Sequence, residues 1–388
     1  MTAPDVLIIG AGLAGCSLAW HLAGERSVVL LEQGEQAGAE ASAQNAGMVR
    51  RLGHDPYERL FARRTHDWLA AGEGWVAEAS RRSGALLGLV HDPHHLTDAA
   101  AHLRSQGVPI EDCDRPGEVA PALAGARLQH AFWLPDERIA DPWSLVSGFL
   151  GEARARGAEL RCGVQVTGLL RDGDRVVGVR TETGDLHAGA VVLAGGAWSG
   201  RLAREAGLNR TLVPVRRTLL QTEAHPLATP DHPWCWLDDA GLYVRPEGGG
   251  WLVSSCDEVV DPPAPGPGSS GPAAELPRAR ALERIARWMP ALSGLRFRGG
   301  WSGLRTFAPD RRPVLGADPE APGLWWLAGL GGFGVTCSYG VGEAVAAWML
   351  GRELDWVRPG PVAPNRLQYG SWMLVPTGDY NEARVVPV

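Results

Sequence analysis

The sequence predicts an α/β protein: one parallel-sheet domain assembled from three separate pieces, with an α+β domain on a mixed or antiparallel sheet inserted between them. Three observations carry this. A strand–turn–helix pattern opens the chain at residues 5–24. Similar α/β material returns after Asp141, and a third strand–turn–helix occupies 324–350. The stretches between, 83–139 and 209–308, show β-like alternation with Trp and Pro instead. At 388 residues the chain can hold two domains with substantial cores. The expected boundaries are 1–82, 140–208 and 309–360 for the first domain and 83–139 and 209–308 for the second, with 361–388 a C-terminal tail.

Taken in order, DVLIIGAGLAGCSLAWHLAG (5–24) reads as strand, tight turn and helix. SVVLLE (27–32) reads as a buried parallel strand ending in an acid. Asp141 is the N-cap of a helix with Pro142 at its first position. Leu145, Val146, Phe149, Leu150 and Ala153 form its apolar stripe, and Gly157 closes it. ELRCGVQVTGLL, RVVGVRTET and AVVLAGGAW follow as strands separated by the turns RDGD and GD. LWWLAGLGGFGVTCSYGVGEAVAAWML (324–350) is a strand, a Gly-rich turn and a helix with Val341, Val345 and Trp348 on one face. The Pro/Gly/Ser-rich stretch 261–277 reads as a mobile surface insertion, with a lid over a site as the alternative.

Composition excludes several functions. A net charge of −7 argues against nucleic-acid or anionic-lipid binding. No apolar run is long enough to span a bilayer, and the first strand starts too early for a signal peptide. The six cysteines are scattered with no CxxC pair, which points to a reduced, cytoplasmic protein without a zinc site or disulfide framework. HDPHHLTD (91–98) matches no metal-ligand spacing and reads as a surface loop. The chain contains no lysine, so neither a Walker A loop nor lysine Schiff-base chemistry is possible. The 16 tryptophans are assigned to core and interface packing.

Gly10, Gly12 and Gly15 form GxGxxG between the first strand and its helix. The first glycine permits the tight turn, the second lets backbone approach a pyrophosphate, and the third lets helix and strand pack closely. Glu32 ends the next strand where an acid binds ribose hydroxyls. These features define a Rossmann-like dinucleotide site. The chain returns to this domain twice, and GLGGFGVT (329–336) aims a second helix start towards it. A helix N-terminus there suits a flavin ring that becomes anionic when reduced, which favours FAD over NAD.

The stretches DVLIIGAGLAG, VVLLEQG, ASAQNAG, LAGGAWSGRLAREAGL, VPVRRT, GLYVRPEGGG, GLRTFAPDRRPVLG and AGLGGFGVTCSYGVGEA carry a resemblance. The chain resembles the D-amino-acid oxidase superfamily of FAD-dependent amine oxidoreductases, most closely the D-arginine dehydrogenase and glycine oxidase branch. The resemblance covers nearly the whole chain except the proline-rich loop and the tail. It implies that Gln33, Ser42 and Asn45 belong to the FAD site, with Gly47 and Met48 approaching the isoalloxazine. Val166 is expected on the adenine side, and Gly195 and Trp198 beside the dinucleotide. Gly331, Gly332, Phe333, Gly334, Val335 and Thr336 would cover the pyrimidine end of the flavin. Arg305 and Arg217 would clamp a substrate carboxylate, with Tyr243 donating a third hydrogen bond.

The implied activity is oxidative deamination of an α-amino acid of D configuration, by hydride transfer from Cα to the flavin. A bidentate guanidinium orients a carboxylate better than a point charge, which suits this chemistry. Gly303 stands where some relatives carry a flavin-linking cysteine, so FAD is expected to be non-covalent. ALLGLV (85–90) lacks the acid that holds a guanidinium side chain in arginine-oxidising relatives, so an apolar or aromatic substrate side chain is favoured. Arg50, Arg51 and His54 read as a solvated loop, with acceptance of an acidic side chain as the alternative. The electron acceptor, oxygen or a quinone-like compound, and the oligomeric state stay open. Two rivals remain: a 2-hydroxy-acid dehydrogenase using His54 as base, and a non-catalytic flavin-binding subunit.

Overall fold

The computed structural model describes residues 3–94, 96–368, 372–377 and 382–387. Its first sheet has six strands among the described residues: Val314–Ala317, Leu324–Ala328, Ala190–Leu193, Val6–Ile9, Val28–Leu31 and Glu159–Arg161 in spatial order. All pair in parallel except the edge strand Val314–Ala317. The apolar runs are buried on both faces, as a covered parallel sheet requires. Val6, Ile8, Val28 and Leu30 face the core beneath the helices Leu13–Leu22, Pro142–Ala155 and Ser338–Met349. Leu7, Ile9, Val29 and Leu31 face a second core on the other side.

The local signals of the sequence are largely realised. Asp141 accepts hydrogen bonds from the backbone N–H groups of Trp143 and Ser144, capping Pro142–Ala155. RDGD turns between the antiparallel strands Val166–Asp172 and Arg175–Thr181 as expected, whereas GD is not a turn but opens a third strand, Gly184–His187, and AVVL runs in the parallel sheet.

The second sheet has ten strands drawn from 85–134 and 213–307. It is antiparallel apart from the parallel pair Ala85–Leu89 and Trp234–Leu237. One face carries Leu86, Leu220, Trp251 and Val253. The other carries Leu87, Leu219, Trp234 and Tyr243, and the Met48 and Leu52 side chains from the first part of the chain pack into it. A three-stranded sheet of Met48–Val49, Arg138–Ala140 and Ser80–Arg82 ties this loop in place. The tail contains a hairpin of Trp372–Thr377 with Glu382–Pro387; its remaining residues beyond 368, and His95 of HDPHHLTD, lie outside the described residues.

GLRTF is the end of an eleven-residue strand, Phe297–Phe307, paired antiparallel with Val213–Thr222. Its glycines mark close approach rather than a reversal: a Cβ on Gly300 would lie 2.4 Å from the Leu219 carbonyl oxygen. The Pro-rich stretch is not a passive insertion. It includes the short strand Gly271–Pro272, which pairs with Trp301 and Ser302, and the start of the helix Glu275–Trp288.

Candidate flavin and substrate site

The turn after Val6–Ile9 shows why glycine is required there. Gly10 has φ +101°, and a Cβ on it would sit 2.6 Å from the Ala194 carbonyl oxygen. A Cβ on Gly15 would be 2.0 Å from the Gly10 carbonyl oxygen, so Gly15 serves helix–strand packing and not the cavity wall. The Glu32 carboxylate is buried and accepts one backbone N–H on each oxygen, from Ala11 at 3.0 Å and Gly34 at 2.9 Å. Each oxygen keeps a lone pair for a ribose hydroxyl. Ser42 Oγ accepts from the Leu13 N–H at the start of the first helix.

These groups open on one cavity that runs from the glycine turn to Arg217 and Arg305. Gly10, Gly12, Glu32, Gln33, Ser42 and Asn45 line its first part. Val166, Gly195 and Trp198 line it further along, and Gly331 and Gly334 close it near the arginines. Gly47, Met48, Gly332, Phe333, Val335 and Thr336 do not line it. Instead Thr336 Oγ1 donates to the Met48 carbonyl at 3.0 Å, fastening the Gly-rich turn to the loop at Met48. Gln44, which sequence reasoning missed, also lines the cavity. Its Oε1 is buried without a partner and occupies the space a Cβ on Gly303 would need, at 1.9 Å. The 303 position thus offers no atom for a covalent link to a cofactor.

Arg217 and Arg305 are gathered by strand register. Arg305 lies opposite Val215, and Arg217 opposite Gly303, so the two are diagonal neighbours on one sheet face. Arg216, one residue away, points to the other face. There it pairs with Asp261 at 2.5 Å and donates to the Ser269 carbonyl. Arg217 is buried and donates to the Asp257 carbonyl and to Glu258 Oε1 at 2.8 Å. Glu258 also pairs with Arg311. Burial opposes the Arg217 charge, but nearby Cys256 and Glu258 raise its pKa overall.

Arg305 is different. Among the described residues its side chain makes no hydrogen bond or ion pair, although it lines the cavity. Burial, and then the Arg217 cation, lower its pKa to about 10, so it stays charged at neutral pH. The turn at Gly332 packs directly on it: a Cβ there would come within 2.6 Å of Arg305 Nη1. Tyr243 is fully buried behind the cavity, not on its wall, and its hydroxyl makes no hydrogen bond of ordinary geometry. Burial raises that hydroxyl's pKa, while Arg305 and Arg217 pull the other way.

Arg50 and Arg51 do not form a solvated loop. Both are buried. Arg51 Nε donates to Glu137 at 3.1 Å. Arg50 lies over the Trp236 ring at 4.1 Å and the Phe333 ring at 4.7 Å, and pairs with Asp238 at 3.1 Å. His54 is mostly exposed and pairs with the other Asp238 oxygen at 2.8 Å. Their partners lie far away in sequence, which is why a local reading took them for solvated residues.

The segment after Asp261 crosses the cavity. Trp198 Nε1 donates to the Ala264 carbonyl at 2.9 Å. Glu40 accepts from the Gly268 and Ser269 N–H groups at 2.7 and 3.1 Å, and from the Ser269 hydroxyl. Ser269 itself lines the cavity. Among the described residues no cluster of His, Cys, Asp or Glu could hold a metal, and no helix is long and apolar enough to cross a membrane.

A parallel sheet with a glycine turn, an amide-held acid and one long cavity ending at paired guanidinia defines a dinucleotide-dependent oxidoreductase. Residues 5–348 match the family model described as FAD-dependent oxidoreductase, abbreviated DAO, and the chain belongs to that family. FAD is its cofactor. The chain is 31% identical to a glycine oxidase from Pseudomonas aeruginosa, over 92% of this chain and 98% of that one. It is 29% identical to a 4-methylaminobutanoate oxidase (formaldehyde-forming) from Paenarthrobacter nicotinovorans, over 89% of this chain but only 43% of that longer protein. Its fold is shared with the crystal structure of an L-proline dehydrogenase from P. horikoshii, at TM-score 0.84 and 22% identity, covering 94% and 98% of the two chains.

Proposed function

We propose that the protein oxidises an α-amino acid to the imino acid, with Arg305 as the carboxylate anchor. The single observation behind this reading is a cavity-facing guanidinium that stays charged yet has no protein partner. A half-buried cation without a carboxylate partner is costly, and a substrate anion relieves that cost. Arg305 grips the carboxylate and Arg217 adds positive potential from two residues away in register, while Tyr243, buried behind the cavity wall, is coupled electrostatically to both guanidinia rather than reaching the ligand. Together they fix the carboxylate and so orient the adjoining C–H along the cavity. FAD, when bound along the cavity, would supply the oxidising equivalent that accepts the hydride from Cα. The amine nitrogen supplies the electron push and releases a proton, and water hydrolyses the imino acid to a keto acid and ammonia.

Glu32, Gln33, Ser42 and Asn45 hold the adenosine and pyrophosphate half of FAD in this reading, and Gln44 and the Gly331–Gly334 turn hold the ring half. The substrate has D configuration, as the resemblance implies, and an apolar or aromatic side chain. No lysine is present to assist oxygen reduction, which favours a quinone-like acceptor. Six free cysteines suit a cytoplasmic enzyme. The division into a three-piece FAD domain and an inserted substrate domain follows the two sheets.

The test is anaerobic mixing of the FAD-loaded protein with D- and L-amino acids, following loss of flavin colour. Arg305→Ala should keep its colour and need about 100-fold more substrate, since a charge-assisted bidentate contact contributes roughly 3 kcal/mol. Ordinary saturation in that variant would sink the assignment.

A further inference from the structure

We infer that Arg201 is the side-chain cation that holds the pyrophosphate of FAD. The inference rests on the cofactor placement proposed above and goes beyond it by giving the two phosphates a charged partner.

The backbone brings Arg201 to the glycine turn. The loop after the strand Ala190–Leu193 rests on that turn: a Cβ on Gly10 would meet the Ala194 carbonyl oxygen at 2.6 Å and the Gly195 Cα at 3.0 Å. Trp198 closes the loop by donating its N–H to the Gly195 carbonyl at 2.9 Å, and the helix Ser199–Glu205 follows directly. Residues three and four apart in such a run share a face. Trp198, Arg201 and Leu202 accordingly all line the cavity. They do so in the part where the glycine turn lets backbone approach a pyrophosphate.

The Arg201 guanidinium is weakly engaged by the protein. Among the described residues it makes no hydrogen bond, and its Nε is buried without a partner. It pairs with Glu205, one helical turn further on, at 3.7 Å, which is too long for a hydrogen bond. The Glu205 side chain is about half exposed, so water screens the pair.

Charge balance is the second argument. The charged side chains lining the cavity are two acids, Glu32 and Glu40, and three bases, Arg201, Arg217 and Arg305. Both acids stand in the cofactor part, where each already accepts backbone N–H groups. A pyrophosphate arriving there brings further negative charge beside two carboxylates. Arg217 and Arg305 sit together in register at the far end. Arg216, which donates to the Ser269 carbonyl, is paired with Asp261 and does not line the cavity. Arg201 is therefore the lining base on the cofactor side, and its planar fork matches two phosphate oxygens.

The test measures binding rather than turnover. The full chain, freed of flavin, is titrated with FAD by fluorescence, and ADP and adenosine are read by their competition with FAD. Arg201→Met keeps the length and apolar stem of the side chain. It should weaken FAD and ADP at least tenfold at low salt, with adenosine changed less than threefold. Adenosine keeps the adenine and ribose and lacks phosphate, so it controls for damage to the fold. Arg201→Lys should lose less than Arg201→Met, and high salt should narrow the gap between wild type and Arg201→Met. Release of FAD from the loaded protein on dilution should rank the three proteins in the same order. Equal weakening of ADP and adenosine, or no weakening of either, would overturn the role of Arg201 while leaving the cofactor placement standing. ADP that binds wild type no more tightly than adenosine would overturn the placement of the pyrophosphate as well. Amino-acid bleaching of FAD-saturated Arg201→Met should stay within twofold of wild type, so a failure of the Arg305 reading would show in bleaching and not in these titrations.

Discussion

Arg210 and Arg305 are both withdrawn from bulk water, and they differ in one respect. Arg210 is fully buried and grips Asp318 with two nitrogens, at 3.1 and 2.8 Å, and Glu320 at 3.0 Å. Asp318 also accepts the Trp326 indole N–H, so this network is complete within the protein. Arg305 faces the cavity with no carboxylate of its own. One arginine completes a network within the protein, and the other is the one proposed above to hold a substrate carboxylate. Buried ion pairs contribute little net stability while intact, but breaking one leaves an uncompensated charge.

That contrast gives the largest expected effect. Arg210→Ala strands Asp318 and should lower stability by roughly 3–5 kcal/mol, seen as an earlier urea midpoint. Arg305→Met removes an unmatched charge and should leave the midpoint unchanged or raise it, while abolishing saturation by substrate. Equal losses of stability in the two variants would erase the distinction.

The two arginines also differ in how they could be read from the sequence. The glycine turn and Glu32 were legible because their chemistry is local: strand, turn, helix and acid fall within about thirty residues. Arg305 and Arg217 have no such signature. They meet through the register of two strands far apart in the chain, and only family resemblance singled them out. Asp238, Trp236 and Gln44 had no signal at all, since their meaning comes from Arg50 and Gly303 across the fold. The Pro-rich stretch misled because its anchors, Glu40 and Trp198, belong to distant segments.

A sharper form of the comparison uses a buried acid near Arg50. Glu58 is pushed up to about 8, mainly by burial, with the Arg50 cation acting against it. Its folded pKa lies above its unfolded value of 4.5, so between the two the native state binds more protons than the unfolded chain. Stability should therefore fall as pH rises from about 4.5 towards 8, by on the order of 2–3 kcal/mol at pH 7. Glu58→Gln should flatten this part of the melting-temperature profile, measured from pH 5 to 9, and raise the melting point at pH 8. A wild-type profile that rises across the same range would contradict the assignment.

The smallest expected effect concerns the cofactor half of the cavity, where Glu40 replaces a ligand's role with a protein-to-protein clasp. Its carboxylate accepts the Gly268 and Ser269 amides and so holds the crossing segment against the cavity. The segment lies against the part of the cavity proposed above to hold FAD, away from the substrate anchor proposed at Arg305. Glu40→Ala should accelerate FAD release about tenfold, equivalent to roughly 1.4 kcal/mol, read as the rise in fluorescence of freed flavin after dilution. Trp198→Phe, which keeps an aromatic side chain but loses the indole hydrogen bond to the Ala264 carbonyl, should act in the same direction and less strongly. Neither change touches Arg305, so the substrate concentration for half-maximal bleaching should stay within twofold of wild type when FAD is in excess. A shift in that concentration as large as the shift in release would mean the two ends of the cavity act as one unit, and the separation between cofactor clasp and substrate anchor would have to be abandoned.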